Sequence, residues 1–161
     1  MRVYHGGTEI IKHPDVSKGR IGLDFGQGFY VTDLQQQAES WADRMSRIRM
    51  NKGIVNIYEL NLLAAKAEYS YKCFEEYNVE WLDFIVSNRR DEYTGPKYDI
   101  VEGGVANDRV IDTVEAYMSN MMPLETALLN LAQHQPNNQL CLLSQRVIDN
   151  CMYFVESYNI Y

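Results

Sequence analysis

Two glycines placed directly before a short aromatic run constrain this chain more than any other feature. The stretch Asp24–Tyr30 reads DFGQGFY, so Gly26 and Gly28 immediately precede Phe29 and Tyr30. Glycine lets the main chain turn sharply or approach another group closely, and aromatic residues favour strands. We therefore predict a tight turn that leads into a strand, with an aromatic side chain beside the point of close approach.

Length and composition favour one globular domain over residues 1–161. The chain is 46% hydrophobic and 23% charged, as is usual for globular proteins. No apolar run approaches the roughly 18 residues that suggest a membrane span, and the first residues lack the apolar core of a secretory signal. We expect a cytoplasmic protein that has no membrane partner.

The cysteines and the net charge exclude several classes of protein. Cys73, Cys141 and Cys151 are odd in number and form no CxxC pair, which fits a reducing compartment and argues against a disulfide framework or a zinc knuckle. We expect no metal site. The net charge of −7 argues against non-specific binding of nucleic acid by the whole surface.

A local basic cluster departs from this acidic balance. Arg44, Arg47, Arg49 and Lys52 lie close together with no acidic residue between them. One interpretation is a solvated helix end, where cations also suit the helix dipole. The other is a docking surface for the phosphates of a ligand or for an anionic partner.

Hydrophobic periodicity and turn residues predict an α+β fold, in which short strands mix with segregated helices. The predicted strands cover residues 2–5, 29–32, 54–60, 69–74, 98–101, 139–143 and 151–156. The predicted helices cover residues 34–50, 79–88, 107–119 and 123–133, with a short one after residue 144. Thr32 or Asp33 is expected to cap the first helix, and Asn107 or Asp108 the third.

Familiar phosphate and catalytic motifs do not account for the glycine pair. Asp24-Phe25-Gly26 matches the magnesium motif of kinases by letters, but the chain lacks the other kinase motifs and is too short. The third glycine of a dinucleotide fingerprint would fall on Val31, inside the predicted strand. A P-loop, an HExxH helix and a GxSxG elbow are also absent from the sequence.

Three motifs in order along the chain resemble the ADP-ribosyltransferase superfamily, in its diphtheria-toxin and poly(ADP-ribose) polymerase branch. That branch carries a His-Tyr-Glu triad on three strands. The matching segments here are His5-Gly6, then Gly26-Gln27-Gly28-Phe29-Tyr30, then Asn138-Gln139. An aromatic residue follows the tyrosine by eleven positions in the polymerases, and Trp41 occupies that position here.

The resemblance is strongest to an uncharacterised bacterial family of small ADP-ribosyltransferase-like proteins, and it covers nearly the whole chain. Members carry the DFGxGFY signature, a helix rich in alanine and tryptophan after it, and a late Asn-Gln strand. The segment 103–108, GGVAND, also looks like that family. The resemblance implies a split β-sheet core with flanking helices.

The resemblance also implies roles in binding NAD as co-substrate. Tyr30 and Trp41 would hold the cationic nicotinamide ring between their faces, with stacking and cation–π energy of about 0.5–2 kcal/mol per ring. His5 would bond the adenosine ribose. The residues implied to contact NAD are His5, Gly6, Gly28, Tyr30, Trp41 and Arg20, with Lys18 as an alternative to Arg20 at the pyrophosphate.

Two positions depart from the polymerase pattern. Gln139 stands where the polymerases have a glutamate, and an amide orients a ribose by hydrogen bonds but cannot act as a base. Polymer elongation should therefore be absent, and Glu102 is a candidate for a replacement acid. Ala38 stands where polymerases tend to have a serine that binds the carboxamide.

The resemblance implies a mono-ADP-ribosyltransferase whose catalytic residues are His5, Tyr30 and Gln139. It cleaves NAD and transfers ADP-ribose to a protein or nucleic acid acceptor, as a bacterial toxin or conflict-system effector with an antitoxin as a further partner. A non-catalytic NAD or ADP-ribose binding module is the alternative, because Gln139 has replaced the acid. A structural partner with a vestigial pocket is a third reading.

Overall fold

The computed structural model of the protein describes residues 1–107 and 109–161. Within these residues the strands are β1 (Arg2–Gly7), β2 (Phe29–Val31), β3 (Ile54–Leu60), β4 (Tyr71–Phe74), β5 (Ile100–Gly103), β6 (Gln139–Leu142) and β7 (Met152–Asn159). The α-helices are α1 (Gln35–Arg49), α2 (Leu62–Glu68), α3 (Val79–Arg89), α4 (Ile111–Met118), α5 (Leu124–Leu131) and α6 (Gln145–Cys151). A 3-10 helix covers Val16–Lys18 in the long β1–β2 connection.

The strands form two separate sheets. One has the order β1-β3-β7 and the other the order β2-β6-β5-β4. Neighbouring strands are antiparallel except β4 and β5, which are parallel. A single bridge between Tyr4 and Thr32 connects β1 to the end of β2. The mixture of sheets and segregated helices confirms the predicted α+β class.

The four-stranded sheet carries apolar side chains on both faces, and each face packs into a different core cluster. Cys141 belongs to a core cluster that also contains Trp81 and Leu82 of α3. Its neighbours Leu140 and Leu142 belong to a second cluster, which reaches the three-stranded sheet. Helix α1 covers that sheet's other face through a third cluster, made of Ala38, Ala42 and Val55.

Helix caps differ from the predicted ones. Leu34 is the N-cap residue of α1 and makes no side-chain capping bond, so the prediction of Thr32 or Asp33 at that position is wrong. The Thr32 hydroxyl instead accepts a hydrogen bond from the main-chain N–H of Leu34, the N-cap residue itself. Helix α4 begins after Val110, and Asn107 Oδ1 accepts instead from Arg109 N. The predicted cap at Asp108 lies outside the described residues.

Two further elements depart from the sequence prediction. Helix α2 was not predicted, although Asn61 caps it by accepting a hydrogen bond from Ala64 N. Strand β5 continues through Glu102 and Gly103, where a strand end was expected. In the part of the chain that the structure describes, no helix is long and apolar enough to cross a membrane.

Candidate functional site

The turn before β2 is closed by the hydroxyl of Tyr30. This hydroxyl donates to Gly26 O at 2.7 Å and accepts from Phe25 N at 3.0 Å. Burial raises the pKa of Tyr30 well above its ordinary value, with a further contribution from the neighbouring Cys141. The hydroxyl therefore stays protonated and acts as a structural bond within the turn, while the ring remains half-buried.

Asp24 fixes the same turn to the rest of the fold. Its side chain is buried, and its Oδ1 lies 2.6 Å from Arg89 Nε of α3. Its Oδ2 accepts from Ala106 N at 2.7 Å. Both carboxylate oxygens are thus used internally, which identifies Asp24 as a structural acid that holds the turn against α3 and the loop after β5.

Gly28 is required by packing. A Cβ atom at this position would lie 2.6 Å from Cys141 Sγ and 2.7 Å from Leu142 O of β6. Real side chains do not approach so closely, so β2 lies against β6 only because residue 28 has no side chain. The predicted contact of Gly28 with NAD stays a prediction.

His5 connects the two strands on which the first two predicted catalytic residues lie. Its Nδ1 is 2.7 Å from the main-chain oxygen of Tyr30, and its ring stacks on Phe29 with a centroid distance of 4.4 Å. Because a carbonyl oxygen only accepts, Nδ1 carries the proton in the neutral ring and Nε2 is an acceptor. Burial lowers the pKa of His5 below 6.5, although the bond to Tyr30 opposes this shift.

The Nε2 atom of His5 is available to a ligand. It has no hydrogen-bond partner among the described residues, and it is not one of their buried, unpaired polar atoms. In this half-buried ring Nε2 is therefore an unpaired acceptor, which is the property that binding a ribose hydroxyl requires.

Beyond the Tyr4–Thr32 bridge, β1 and β2 are no longer paired, which leaves a gap between the two sheets. Gly6 lies on the β1 side of this gap. In a strand, successive N–H and C=O groups alternate between the two edges. Tyr4 directs its N–H and C=O to Thr32, so Gly6, two residues later, presents its own N–H and C=O to the same side. Within the described residues no strand pairs with Gly6 on that side, although the residue itself is buried. Two such groups can hold a primary amide by paired hydrogen bonds.

Tyr30 and Gln139 lie on the same face of the four-stranded sheet. Tyr30 pairs with Cys141 in the antiparallel register of β2 and β6, and paired residues share a face. Gln139 is two residues before Cys141, so its side chain also emerges on that face, diagonally across from Tyr30. The predicted set His5, Tyr30 and Gln139 is thus brought onto three connected strands.

The amide of Gln139 is half-buried and makes no hydrogen bond within the described part of the chain. It is not one of the buried unpaired atoms found there, so solvent or a ligand can reach it. An accessible amide beside Tyr30 offers one donor and one acceptor group to a ligand but no base.

Glu102 lies on the opposite face of the sheet from Gln139. It pairs with Leu140, whose side chain points away from Tyr30. Its carboxylate accepts hydrogen bonds from the Tyr71 hydroxyl and, at 3.4 Å, from Asn138 Nδ2. The strand register therefore places Glu102 on the face away from Tyr30. There its carboxylate is already hydrogen-bonded to other residues of the protein.

Helix α1, which carries Trp41, packs directly against Gly6. A Cβ on Gly6 would lie 2.9 Å from Ala42 N and closer still to Ala38 O, so strand and helix main chains are in direct contact. Trp41 is 47% exposed, and the Arg44 guanidinium lies 5.5 Å from its ring centroid. Ala38 is buried in this contact.

The remaining predicted cations are dispersed. Arg20 and Lys18 are exposed on the β1–β2 connection, and no described contact joins Arg20 to the site. In the basic cluster, Arg47 forms an ion pair with Asp43 at 2.8 Å and Arg49 donates to Thr8. Part of that cluster therefore serves the fold, and its docking role stays a prediction.

Sequence reasoning named Thr32 as a cap and Asn138 as part of a motif but missed the hydrogen bonds by which both organise the site. Thr32 is buried, and its hydroxyl donates to Asn138 O at 2.8 Å. Asn138 Nδ2 donates in turn to Asp33 Oδ1 at 3.1 Å. Their position, at the end of one site strand and directly before another, was the available signal, but a capping role was inferred for Thr32 instead.

Comparison with known proteins defines the family of the chain. Residues 1–154 match the family described as "Protein of unknown function (DUF3990)", and the chain belongs to that family. No curated protein and no solved structure matches it. In the part of the chain that the structure describes, no group of three or more histidine, cysteine or acidic side chains is placed to hold a metal ion.

Proposed function

We propose that this protein is a mono-ADP-ribosyltransferase that cleaves NAD at the nicotinamide–ribose bond. The observation that carries the proposal is that His5, Tyr30 and Gln139 lie on three directly connected strands. His5 of β1 bonds Tyr30 O of β2, and Tyr30 shares a sheet face with Gln139 of β6. The strand positions, and the residue types at His5 and Tyr30, are those of the ADP-ribosyltransferase triad, whereas Gln139 replaces its glutamate.

The groups that face the gap suit the parts of NAD. Gly6 presents a donor and an acceptor for the carboxamide, and His5 Nε2 presents an acceptor for a ribose hydroxyl. Trp41, on the helix packed against Gly6, offers an aromatic ring that is 47% exposed. Gln139 offers an amide to the nicotinamide ribose. Of these groups, His5 Nε2 and the Gln139 amide make no hydrogen bond within the described residues.

The chemistry expected of such a site is positioning. Departure of nicotinamide develops positive charge on the ribose, and a compact, oriented dinucleotide lowers the barrier to that step. Gln139 holds the ribose but does not take a proton, so transfer stops after one unit. The acceptor, a protein or a nucleic acid, and a role as a toxin with an antitoxin partner rest on the resemblance alone.

A specific feature favours a second candidate, a non-catalytic module that binds NAD or ADP-ribose. Glu102, the acid of the neighbouring strand β5, emerges on the opposite face of the sheet from Gln139. Within the described residues the Tyr30 face therefore gains no carboxylate from this pair of strands. Binding would persist in such a module while bond cleavage would not.

Incubation with NAD labelled in its adenosine half, with a cell lysate as a source of acceptors, tests the proposal. We expect nicotinamide release and label on one class of macromolecule, both absent in Tyr30→Ala. Calorimetric binding of NAD without release of nicotinamide would favour the binding module. No binding at millimolar NAD would overturn both candidates, and full activity of Tyr30→Ala would remove Tyr30 from the site.

A further inference from the structure

Thr32 lies where the two sheets meet. It directly follows β2 and is only 4% exposed. Its main-chain N–H donates to Tyr4 O at 3.0 Å, and its carbonyl accepts from Tyr4 N at 2.8 Å. This bridge fixes the strand that carries His5 relative to the strand that carries Tyr30, because it immediately precedes the point at which they separate.

The hydroxyl of Thr32 makes two further bonds in other directions. It donates to Asn138 O at 2.8 Å and accepts from Leu34 N at 3.1 Å. Asn138 directly precedes Gln139, and Leu34 directly precedes α1, the helix of Trp41. One buried hydroxyl therefore joins the start of β6 to the start of α1.

We propose that Thr32 is the positioning residue of the candidate site. Its main chain and its hydroxyl together fix the four elements that carry His5, Tyr30, Gln139 and Trp41. The proposal rests on the proposed function only for its ligand-binding readout, since the coupling of these elements is a property of the protein alone.

The orientation of the Gln139 side chain depends on the main chain that carries it. Its amide has no partner of its own among the described residues, so its orientation follows from the main chain on either side. The carbonyl of Asn138 has one other donor, Gln37 Nε2, at a long 3.5 Å. Loss of the Thr32 hydroxyl therefore removes the shorter of the two hydrogen bonds to the Asn138 carbonyl, directly before Gln139.

The hydroxyl itself can be tested with three variants. Thr32→Val keeps the shape and removes the hydroxyl, whereas Thr32→Ser keeps the hydroxyl. Tyr58→Phe is the matched control, because Tyr58 is fully buried and its hydroxyl also donates to a main-chain carbonyl, that of Ile11, at 2.6 Å. For each protein we would measure the melting temperature, the NMR signals of the Trp41 indole and the Gln139 amide, and the NAD dissociation constant.

We expect Thr32→Val to shift both NMR signals and to weaken NAD binding by about tenfold or more, with Thr32→Ser close to wild type. Tyr58→Phe should lower the melting temperature by a similar amount and leave the signals in place, since each variant removes one buried hydrogen bond. Unmoved signals in Thr32→Val, or equal shifts in Tyr58→Phe, would overturn the proposal.

Two other outcomes are also decisive. If wild type neither binds nor cleaves NAD, the proposed function fails, and the NMR comparison alone decides the role of Thr32. If Thr32→Val does not fold, Thr32→Ala, which crowds the site less, takes its place. Failure of both to fold while Thr32→Ser folds would assign the hydroxyl to folding and overturn the positioning role.

Discussion

The imidazole of His5 donates a 2.7 Å hydrogen bond from Nδ1 to the main-chain oxygen of Tyr30. The bond crosses from one sheet to the other just beyond the bridge where the two strands separate. It therefore replaces the ladder bond that an adjacent strand would make, and it leaves the second ring nitrogen directed outward. A side-chain hydrogen bond thus joins the two strands where their main-chain pairing ends.

The first prediction concerns the protonation of His5. Because burial lowers its pKa, an NMR titration should give a midpoint below 6.5, with Nε2 as the nitrogen that titrates and Nδ1 protonated throughout. The unfolded chain binds this proton more readily than the folded one, so the free energy of unfolding should fall as pH drops below about 6.5. Above that pH the contribution is fully present.

The control for this prediction is His5→Gln, which cannot titrate. The difference in unfolding free energy between the two proteins should change between about pH 7 and the folded pKa of His5, and stay constant at higher pH. A midpoint above 6.5, or a difference independent of pH throughout the acidic range, would contradict the assignment.

The second prediction concerns the contact between β1 and α1. Gly6→Ala inserts a Cβ into the main chain of α1 and should cost about 1–3 kcal/mol or more, as overpacking does. Gly7→Ala is the matched control, since its Cβ would meet His5 Nε2 at an ordinary 3.6 Å. Urea unfolding gives the loss of unfolding free energy in each variant. Equal losses would mean that α1 moves away from the new Cβ without strain.

The third prediction concerns the acid that fixes the glycine turn. Breaking a buried ion pair by removing one partner costs roughly 3–5 kcal/mol, and Asp24→Leu leaves the Arg89 guanidinium without its carboxylate. An exposed pair is worth roughly 0–1 kcal/mol, so Glu80→Gln, which breaks the pair with Lys72, should cost far less. Denaturant unfolding that ranks the two variants equally would show that Asp24 is not a structural acid.

Local pattern predicted most of the strands on which the site is built. Strands β1, β2, β3 and β6 were expected within a few residues of their bounds, because turn residues and apolar alternation mark both ends. Helix α2 was missed because its seven residues are too few to show a clear period. The α+β class followed from the order of these elements.

Other features depend on contacts between distant segments. The face on which Glu102 emerges is set by the register of β5 and β6, and a shift of one residue would reverse it. The partners of the Tyr30 hydroxyl depend on how the glycine turn folds back, which its sequence does not specify. Local reasoning therefore identified the residues of the candidate site but not the bonds that orient them.

The fourth prediction separates the two functions of Tyr30. Tyr30→Phe keeps the aromatic face but leaves Gly26 O and Phe25 N without the hydroxyl, which should cost about 1–3 kcal/mol of stability. Tyr30→Ala should lose more, because the ring packs against the α3 core as well. If the ring binds nicotinamide, Tyr30→Phe retains NAD affinity measured at a temperature where it is folded, and Tyr30→Ala does not.

The fifth prediction concerns the missing acid at Gln139. Because its amide makes no bond within the described residues, Gln139→Ala should change stability by less than about 0.5 kcal/mol. Gln139→Glu places a carboxylate on the Tyr30 face, where a positioned base contributes on the order of a hundredfold or more to a proton-transfer step. We therefore expect faster transfer to the acceptor in Gln139→Glu and slower release of nicotinamide in Gln139→Ala.

The matched control for this last prediction is Glu102→Gln, on the opposite face of the same sheet. It should leave the rate of nicotinamide release within about twofold of wild type once stability is accounted for, although it weakens the bond to the Tyr71 hydroxyl. Steady-state assays of the three variants at one NAD concentration above saturation measure the contrast. A large loss in Glu102→Gln with none in Gln139→Ala would reverse the assignment of the two residues, because it would place the functional group on the face away from Tyr30.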